Sequence, residues 1–450
     1  MTALVVHPAE KPLVGSVPVP SDKSIAHRAL LLGALCNGKS RIREWAGGED
    51  NESTRGALEA MGVSIANEGD DVVVTGAGLF GLRAPERDLD CGNSGTTMRL
   101  LCGILAAQPF TSTLVGDASL TRRPMMRIAG PLRARGARID GAPHPTKAGE
   151  ITAPLRVSEP AEPLRGIEYE LPIASAQVKS ALLLSGLYAH GATVLREPTL
   201  SRDHTERMLL ALGVPLRTVS TMVELDPSGW SGQMPGFDLR VPGDVSAAAF
   251  IVGAALLVPG SRVTVRSVGT NPTRTGLLDA LRDMGACLSI EPHGDEGGEP
   301  LADLHVRDPA GACGIERPGL VASETATRAI DEIPALCAIA ARGRGTTRIR
   351  DAAELRVKES DRIDAMVDVL RKFGVACEPV ADGMDIQGTS ETLRAARVDS
   401  RGDHRIAMSA ALLALLADAP SRIDDAACIG TSFPRFVGTL RALGARIDVE

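Results

Sequence analysis

The chain has 450 residues, 44% hydrophobic and 23% charged, which is the balance of a folded globular protein and excludes a disordered or fibrous class. Lys+Arg 49 against Asp+Glu 56 gives a net charge of −7, which argues against general affinity for nucleic acid or an anionic membrane. Aromatic residues at 2% are too few for base-stacking platforms, and the cysteines lack C-x-x-C or zinc-ligand spacing, so they read as reduced thiols of a cytosolic protein.

The opening residues, with Glu10, Lys11 and several prolines, do not have the basic-then-apolar design of a signal peptide. Val19-Pro20-Ser21-Asp22-Lys23-Ser24 reads as a strand end broken at Pro, followed by a capped helix through AHRALLLGAL. Gly33 to Ser40 matches the phosphate-loop pattern G-x-x-x-x-G-K-[ST] letter for letter. A helix precedes it and a strand follows, the reverse of what that mechanism needs, so it reads as a helix-ending turn and not as an ATP site. Gly76 to Gly81 matches the dinucleotide pattern G-x-G-x-x-G after the strand-like DDVVVTG, but Pro85 stands where the helix would have to grow, which makes it a loop.

Further along, polar clusters open five more apolar helices. These are Asn93-Ser94-Gly95-Thr96 with Arg99, Ser175-Ala176-Gln177 with Lys179, Gly243-Asp244-Val245-Ser246, Asp331-Glu332, and Asp403-His404-Arg405. The longest apolar runs, Ala247–Pro259 and Ile406–Ala417, are shorter than the ~18 residues of a membrane span. Between them lie amphipathic helices that end at Gly62, Gly136, Gly213, Gly285, Gly374 and Gly444, where a helix needs a left-handed residue before turning into a strand. The chain thus reads as α/β (α+β), six units of buried helix, outer helix and strands, three to a lobe. Val241-Pro242-Gly243-Asp244-Val245-Ser246 repeats the V-P-x-D-x-S of the start, which places two crossings near 18–21 and 240–243. One lobe is then 21–240, and the other is 1–20 plus 243–450.

Helix starts carry unpaired N–H groups and the positive end of the dipole, so basic residues in their first turns make anion sites. Starts converging from both lobes on a cleft would suit a ligand with several negative charges. Arg356-Val357-Lys358-Glu359-Ser360-Asp361-Arg362 is expected to put Lys358 and Arg362 on one helix face, with Glu359 beside them as an acid-base group.

Together these segments resemble the 5-enolpyruvylshikimate-3-phosphate synthase family over nearly the whole length. The motifs run in order through VPSDKSIAHR (19–28), CGNSGTTMR (91–99), GDASLTRRPM (116–125), SAQVKSALL (175–183), RDHTERML (202–209), NPTRTG (271–276), IDEIP (330–334), RVKESDR (356–362), DHRIAM (403–408) and TSFPRF (431–436). The resemblance implies a two-lobed enolpyruvyl transferase-like fold, an inside-out α/β barrel arrangement with buried parallel helices. It also implies transfer of the enolpyruvyl group of phosphoenolpyruvate to the 5-hydroxyl of shikimate 3-phosphate. For shikimate 3-phosphate it implies Lys23, Ser24, Arg28, Ser175, Gln177, Arg202, Asp331 and Lys358; for phosphoenolpyruvate, Lys23, Gly95, Arg123, Gln177, Arg362 and Arg405. Asp331, Glu359 and Lys23 are implied as the catalytic groups. It further implies a cytoplasmic monomer with no metal or organic cofactor, no nucleic acid and no membrane.

This chain has Ser175-Ala176-Gln177 where some members have Ser-Ser-Gln, and Thr431 where some have Lys. R-x-H-x-E (202–206), S-A-Q-x-K (175–179) and N-x-T-R (271–274) resemble the subgroup associated with tolerance to glyphosate. Tolerant members carry Ala at the Gly95 position, so inhibition is expected here. Three rivals are weighed against this reading. A UDP-N-acetylglucosamine enolpyruvyl transferase would carry a loop Cys within 116–124, which is absent here. An RNA-end cyclase is disfavoured by the acidic charge. A non-catalytic anion-binding module would tend to lose one of Lys23, Asp331 and Glu359, all of which are present.

Overall fold

A strand that runs parallel to its neighbour needs a crossover, and in this chain an apolar helix supplies it within four of the six sheets. The computed structural model describes residues 2–45, 47–307 and 315–450. Among them the strands form six four-stranded sheets, four of which run first, second, fourth, third in chain order; the other two differ because one strand of each comes from a distant part of the chain. Leu89–Asp90, the buried helix Gly95–Leu105, Ser112–Val115, the outer helix Met126–Ala134 and the strands Arg138–Pro143 and Ile151–Ser158 are one complete repeat. Leu89 pairs with Leu114 in parallel register, and Thr113 pairs with Arg156 antiparallel.

The buried helices lack a polar face because they are covered all round. Val245–Leu257 and Ile333–Ala340 bury every residue. Gly103 lets its helix touch the backbone of the helix Ala176–Gly186; a Cβ there would lie 2.3 Å from the Ala181 carbonyl oxygen. Each outer helix ends as its glycine predicts. Gly62 has φ +85°, its N–H donates to the Glu59 carbonyl at 2.9 Å, and Val63 N–H donates to the Leu58 carbonyl at 3.1 Å. The same pair of bonds recurs at Gly136, Gly213, Gly285, Gly374 and Gly444.

The chain divides into two compact units, Ser21–Val241 with Glu296–Glu299, and Met1–Pro20 with Pro242–Asp295 and Pro300–Glu450. Each has its own hydrophobic core. The first strand of two repeats is exchanged. Val14–Pro18, which precedes the helix Lys23–Leu35 in the chain, pairs with Arg262–Gly269. Asp238–Arg240, which precedes Val245–Leu257, pairs with Lys39–Arg43. Leu4–Val6 completes the last sheet between Ser421–Asp424 and Ile447–Val449.

Both nucleotide-like motifs are turns. Gly33 to Ser40 joins the helix Lys23–Leu35 to the strand Lys39–Arg43, and Gly76 to Gly81 follows Asp71–Thr75 with no helix before Gly95. The seven described cysteines are free thiols; Cys313 lies outside the described residues. No helix among the described residues is long and apolar enough to cross a membrane.

Candidate active site

In the unit of residues 21–241, Asp22 caps the first buried helix, its side chain accepting from Ile25 N–H at 2.9 Å, and Lys23 takes the first helical position. The outer helix Glu49–Ala60 holds Lys23 from the side. Asp50 Oδ2 lies 2.8 Å from Lys23 Nζ, and Asn51 Nδ2 donates to the Lys23 carbonyl at 3.1 Å. Ser94 caps the second buried helix by accepting from Thr97 N–H at 3.1 Å, and Gly95 is that helix's first residue.

Two guanidinium groups close over Gly95. A Cβ there would lie 2.8 Å from Arg99 Nη1 and 3.2 Å from Arg123 Nη1. Arg99 Nη1 donates to Gln177 Oε1 at 2.6 Å, Gln177 Nε2 donates to Thr96 Oγ1 at 3.0 Å, and Arg123 Nη2 donates to Asn93 Oδ1 at 2.5 Å. A helix start flanked by two arginines, with a hydrogen atom in place of a side chain, suits a phosphate or carboxylate. Arg99 and Asn93 are therefore part of this group, although only the motif around Gly95 pointed to them in the sequence.

Ser175 caps the third buried helix, its Oγ accepting from Val178 N–H at 3.5 Å, and the helix carries Gln177 in its first turn. Lys179, in the same motif, turns inward instead. Its Nζ lies 2.5 Å from Glu197 Oε1 and 2.7 Å from Glu206 Oε1, and it donates to the Ser201 carbonyl at 3.3 Å. Burial pulls the Lys179 pKa down, but the two carboxylates outweigh it and raise it. Lys179 thus anchors the segment that leads to Arg202 and is an internal cation. Arg28 is buried as well: its Nε donates to Thr205 Oγ1 at 2.6 Å, Nη2 to Ser180 Oγ at 2.7 Å and Nη1 to the carbonyl of Ser24 at 2.8 Å. Burial, with Arg202 nearby, lowers its pKa to about 10.

In the other unit, charged groups gather around Asp331. Arg362 Nη1 lies 3.5 Å and Lys358 Nζ 3.6 Å from Asp331 Oδ1, and Arg405 Nη1 donates to the Asp331 carbonyl at 2.7 Å. Arg362 also pairs with Glu359 Oε2 at 2.6 Å and with Asp403 Oδ2 at 2.8 Å. Burial would lower the Arg362 pKa; Asp403, Glu359 and Asp331 more than offset this and raise it, so the guanidinium is a fixed charge. Asp403 in turn caps the sixth buried helix by accepting from Arg405 N–H at 2.9 Å. Asp331, Lys358, Glu359, Arg362 and Arg405 therefore form one set, with Asp403 as the buried partner that positions Arg362.

One expectation is corrected. Lys358 and Arg362 do not share a helix face, because the helix begins only at Arg362. Asp361 ends the preceding turn by accepting from Ile363 and Asp364 N–H at 3.1 Å each. Lys358 has extended backbone and Glu359 lies in the bend that follows it, where they reach Asp331 and Arg362 respectively. The fourth helix start is satisfied internally: Arg274 Nη2 donates to Ser246 Oγ at 2.8 Å, and Ser246 bonds Glu332.

Two sets of three βαβαββ repeats, with helix starts that present lysine and arginine beside carboxylates, define an enolpyruvyl transferase-type α/β protein. Comparison with known proteins narrows this class. The family model described as EPSP synthase (3-phosphoshikimate 1-carboxyvinyltransferase) matches residues 8–440. A 3-phosphoshikimate 1-carboxyvinyltransferase of Citrifermentans bemidjiense is 47% identical over 446 residues, 99% of this chain and 100% of its own. One of Bacillus subtilis is 44% identical over 434 residues, 96% of this chain and 98% of its own. A solved EPSP synthase structure from Acinetobacter baumannii superposes with a TM-score of 0.87 at 41% identity, covering 100% of both chains. The chain belongs to the EPSP synthase family.

Proposed function

We propose that this chain transfers the 1-carboxyvinyl group of phosphoenolpyruvate to the 5-hydroxyl of shikimate 3-phosphate and releases phosphate, a step of aromatic amino acid biosynthesis. The observation that carries the assignment of groups is the pair of sets above: cations around Gly95 for an anion, and a carboxylate pair among cations at Asp331 and Glu359. Asp331 takes the proton of the attacking hydroxyl as its oxygen bonds the central carbon of phosphoenolpyruvate, and Glu359 delivers a proton to the methylene. The resulting tetrahedral intermediate loses phosphate, with Lys23 stabilising the leaving oxygens, and Glu359 takes a methyl proton to restore the double bond.

Lys23, Gly95, Arg123, Gln177, Arg362 and Arg405 receive phosphoenolpyruvate. Lys23, Ser24, Arg28, Ser175, Gln177, Arg202, Asp331 and Lys358 receive shikimate 3-phosphate. Arg28 supports this subsite while held by Ser180 and Thr205. The protein acts as a cytoplasmic monomer without nucleic acid or membrane partners. A UDP-sugar acceptor and a non-catalytic module are not favoured. Phosphate release, assayed with each substrate alone and with both in the presence of chelator, tests the reading; release only with both is expected, and none from folded protein would overturn it. Light scattering at assay concentration tests the monomer.

A further inference from the structure

His27 lies one helical turn after Lys23 on the first buried helix and is fully buried. Its Nδ1 is 2.7 Å from Thr54 Oγ1, and Thr54 Oγ1 is 2.6 Å from Thr97 Oγ1. Thr97 Oγ1 in turn lies 2.8 Å from Ser94 Oγ and 3.3 Å from the Asp50 carbonyl oxygen. With Thr97 assigned as the donor to Ser94 Oγ, Thr54 donates to Thr97 and His27 donates to Thr54 from Nδ1–H. Its Nε2 is buried and has no hydrogen-bond partner among the described residues. Nδ1 is thus the nitrogen through which the ring acts.

The far end of this chain is the site. Ser94 caps the helix that begins at Gly95, and Asp50 is the ion-pair partner of Lys23. We propose that His27 is a positioning residue, which fixes the Lys23–Asp50 pair and the Ser94–Gly95 helix start relative to one another through the hydroxyls of Thr54 and Thr97. This deepens the functional reading and rests on it for the role of Lys23. A buried imidazole suits the task because a single donor nitrogen on a rigid ring gives the hydroxyl chain one direction. A neutral ring also adds no charge beside Lys23 and Arg28, and burial lowers the His27 pKa to about 3, so it stays neutral at working pH.

The test uses the full chain with His27→Leu, which removes the donor, and His27→Asn, which returns a donor nitrogen near the Nδ1 position. Thr54→Val breaks the chain one link further on with little change of volume. Lys23 is followed by NMR after reductive ¹³C-methylation of the 7 lysines and assigned with Lys23→Arg, a readout that does not depend on turnover. In His27→Leu the Lys23 signal moves and kcat/KM falls roughly 10- to 100-fold, as expected for displaced catalytic groups. His27→Asn restores both to within about threefold, and adding Thr54→Val to His27→Leu costs little more, because both act on one chain.

A folded His27→Leu protein with an unmoved Lys23 signal and wild-type kinetics would overturn the proposal, as would an Asn variant no better than Leu. If His27→Leu does not fold, Thr54→Val carries the same two readouts with the same expected and overturning results. An unmodified protein that releases no phosphate, while its Lys23 signal still follows His27, would overturn the functional reading and leave the positioning role supported.

Discussion

Asp331 is held through both its carboxylate and its carbonyl, by Lys358, Arg362 and Arg405, so Asp331→Asn keeps the shape of the group and removes its basicity. Turnover is expected to fall ~10²–10⁴-fold while substrate binding, measured by calorimetry, stays within about tenfold. Near-normal turnover would contradict its role as base. At Gly95 a methyl group would press on Arg99 and Arg123, at 2.8 and 3.2 Å. Inhibition by glyphosate in competition with phosphoenolpyruvate is expected from the family resemblance, and Gly95→Ala should raise the inhibition constant. An unchanged constant in that variant would reject the link. His27 also leaves a mark on stability. With its pKa lowered to about 3 by burial and by Lys23 and Arg28, against the raising effect of Asp50 and Asp22, it stays neutral where an unfolded imidazole, near 6.5, takes up a proton. Between those values the unfolded chain binds the extra proton, so stability rises with pH and is lost as pH falls below 6.5. Urea unfolding of the wild type should lose about 2 kcal/mol more than His27→Asn on going from pH 7 to pH 5.

At the scale of the element, the buried helices work because small residues let them approach closely. Gly103 on Gly95–Leu105 faces the backbone of Ala181, which cannot rotate away as a side chain could. Gly103→Ala should therefore destabilise by about 1–3 kcal/mol in urea unfolding, despite the better helix propensity of Ala. The same helix starts at Gly95, so a shift of its axis would also lower kcat/KM. A stability equal to wild type would mean that the two helices are not in backbone contact. The outer helices are more forgiving, since their glycines carry the left-handed turn and their exposed faces are polar.

For the whole molecule, the exchange of first strands makes the two units unequal when cut. Residues 21–241 hold three repeats with all their strands, including Asp238–Arg240. They lack only the segment Glu296–Glu299, in which Glu299 pairs with the buried His204 at 2.7 Å and the Gly298 carbonyl accepts from Arg207. Residues 242–450 alone lack Val14–Pro18 and the central strand Leu4–Val6 of the last sheet. Fragment 21–241 is expected to unfold cooperatively by circular dichroism, somewhat below the full chain. Fragment 242–450 should show no such transition until a peptide of residues 1–20 is added. Cooperative unfolding of 242–450 by itself would show that the N-terminal strands are dispensable.

Much of this was legible in the amino acids because it is local. Helix ends at Gly62 or Gly444, caps at Asp22, Ser94 and Ser175, and the all-round apolar character of the helix from Val245 each depend on neighbours within one or two turns. So does the reversed order of helix and strand that disposes of the phosphate-loop match at Gly33 to Ser40. The types and spacing of the candidate site residues were legible on the same terms, but their neighbours were not. That Lys179 turns inward to Glu197 and Glu206 and that Asp403 holds Arg362 rest on side chains meeting across distant segments, whereas the Asp361 cap that separates Lys358 from Arg362 is local and was there to be read. The repeat, its helices and the residue types at their starts are written in the amino acids. That Val14–Pro18 pairs with Arg262–Gly269 and that Leu4–Val6 lies between Ser421–Asp424 and Ile447–Val449 emerges from the folded chain alone. Caps and periodicity are set by bonds within a few residues, whereas a strand's partner is chosen by which apolar face remains to be covered once the helices have packed.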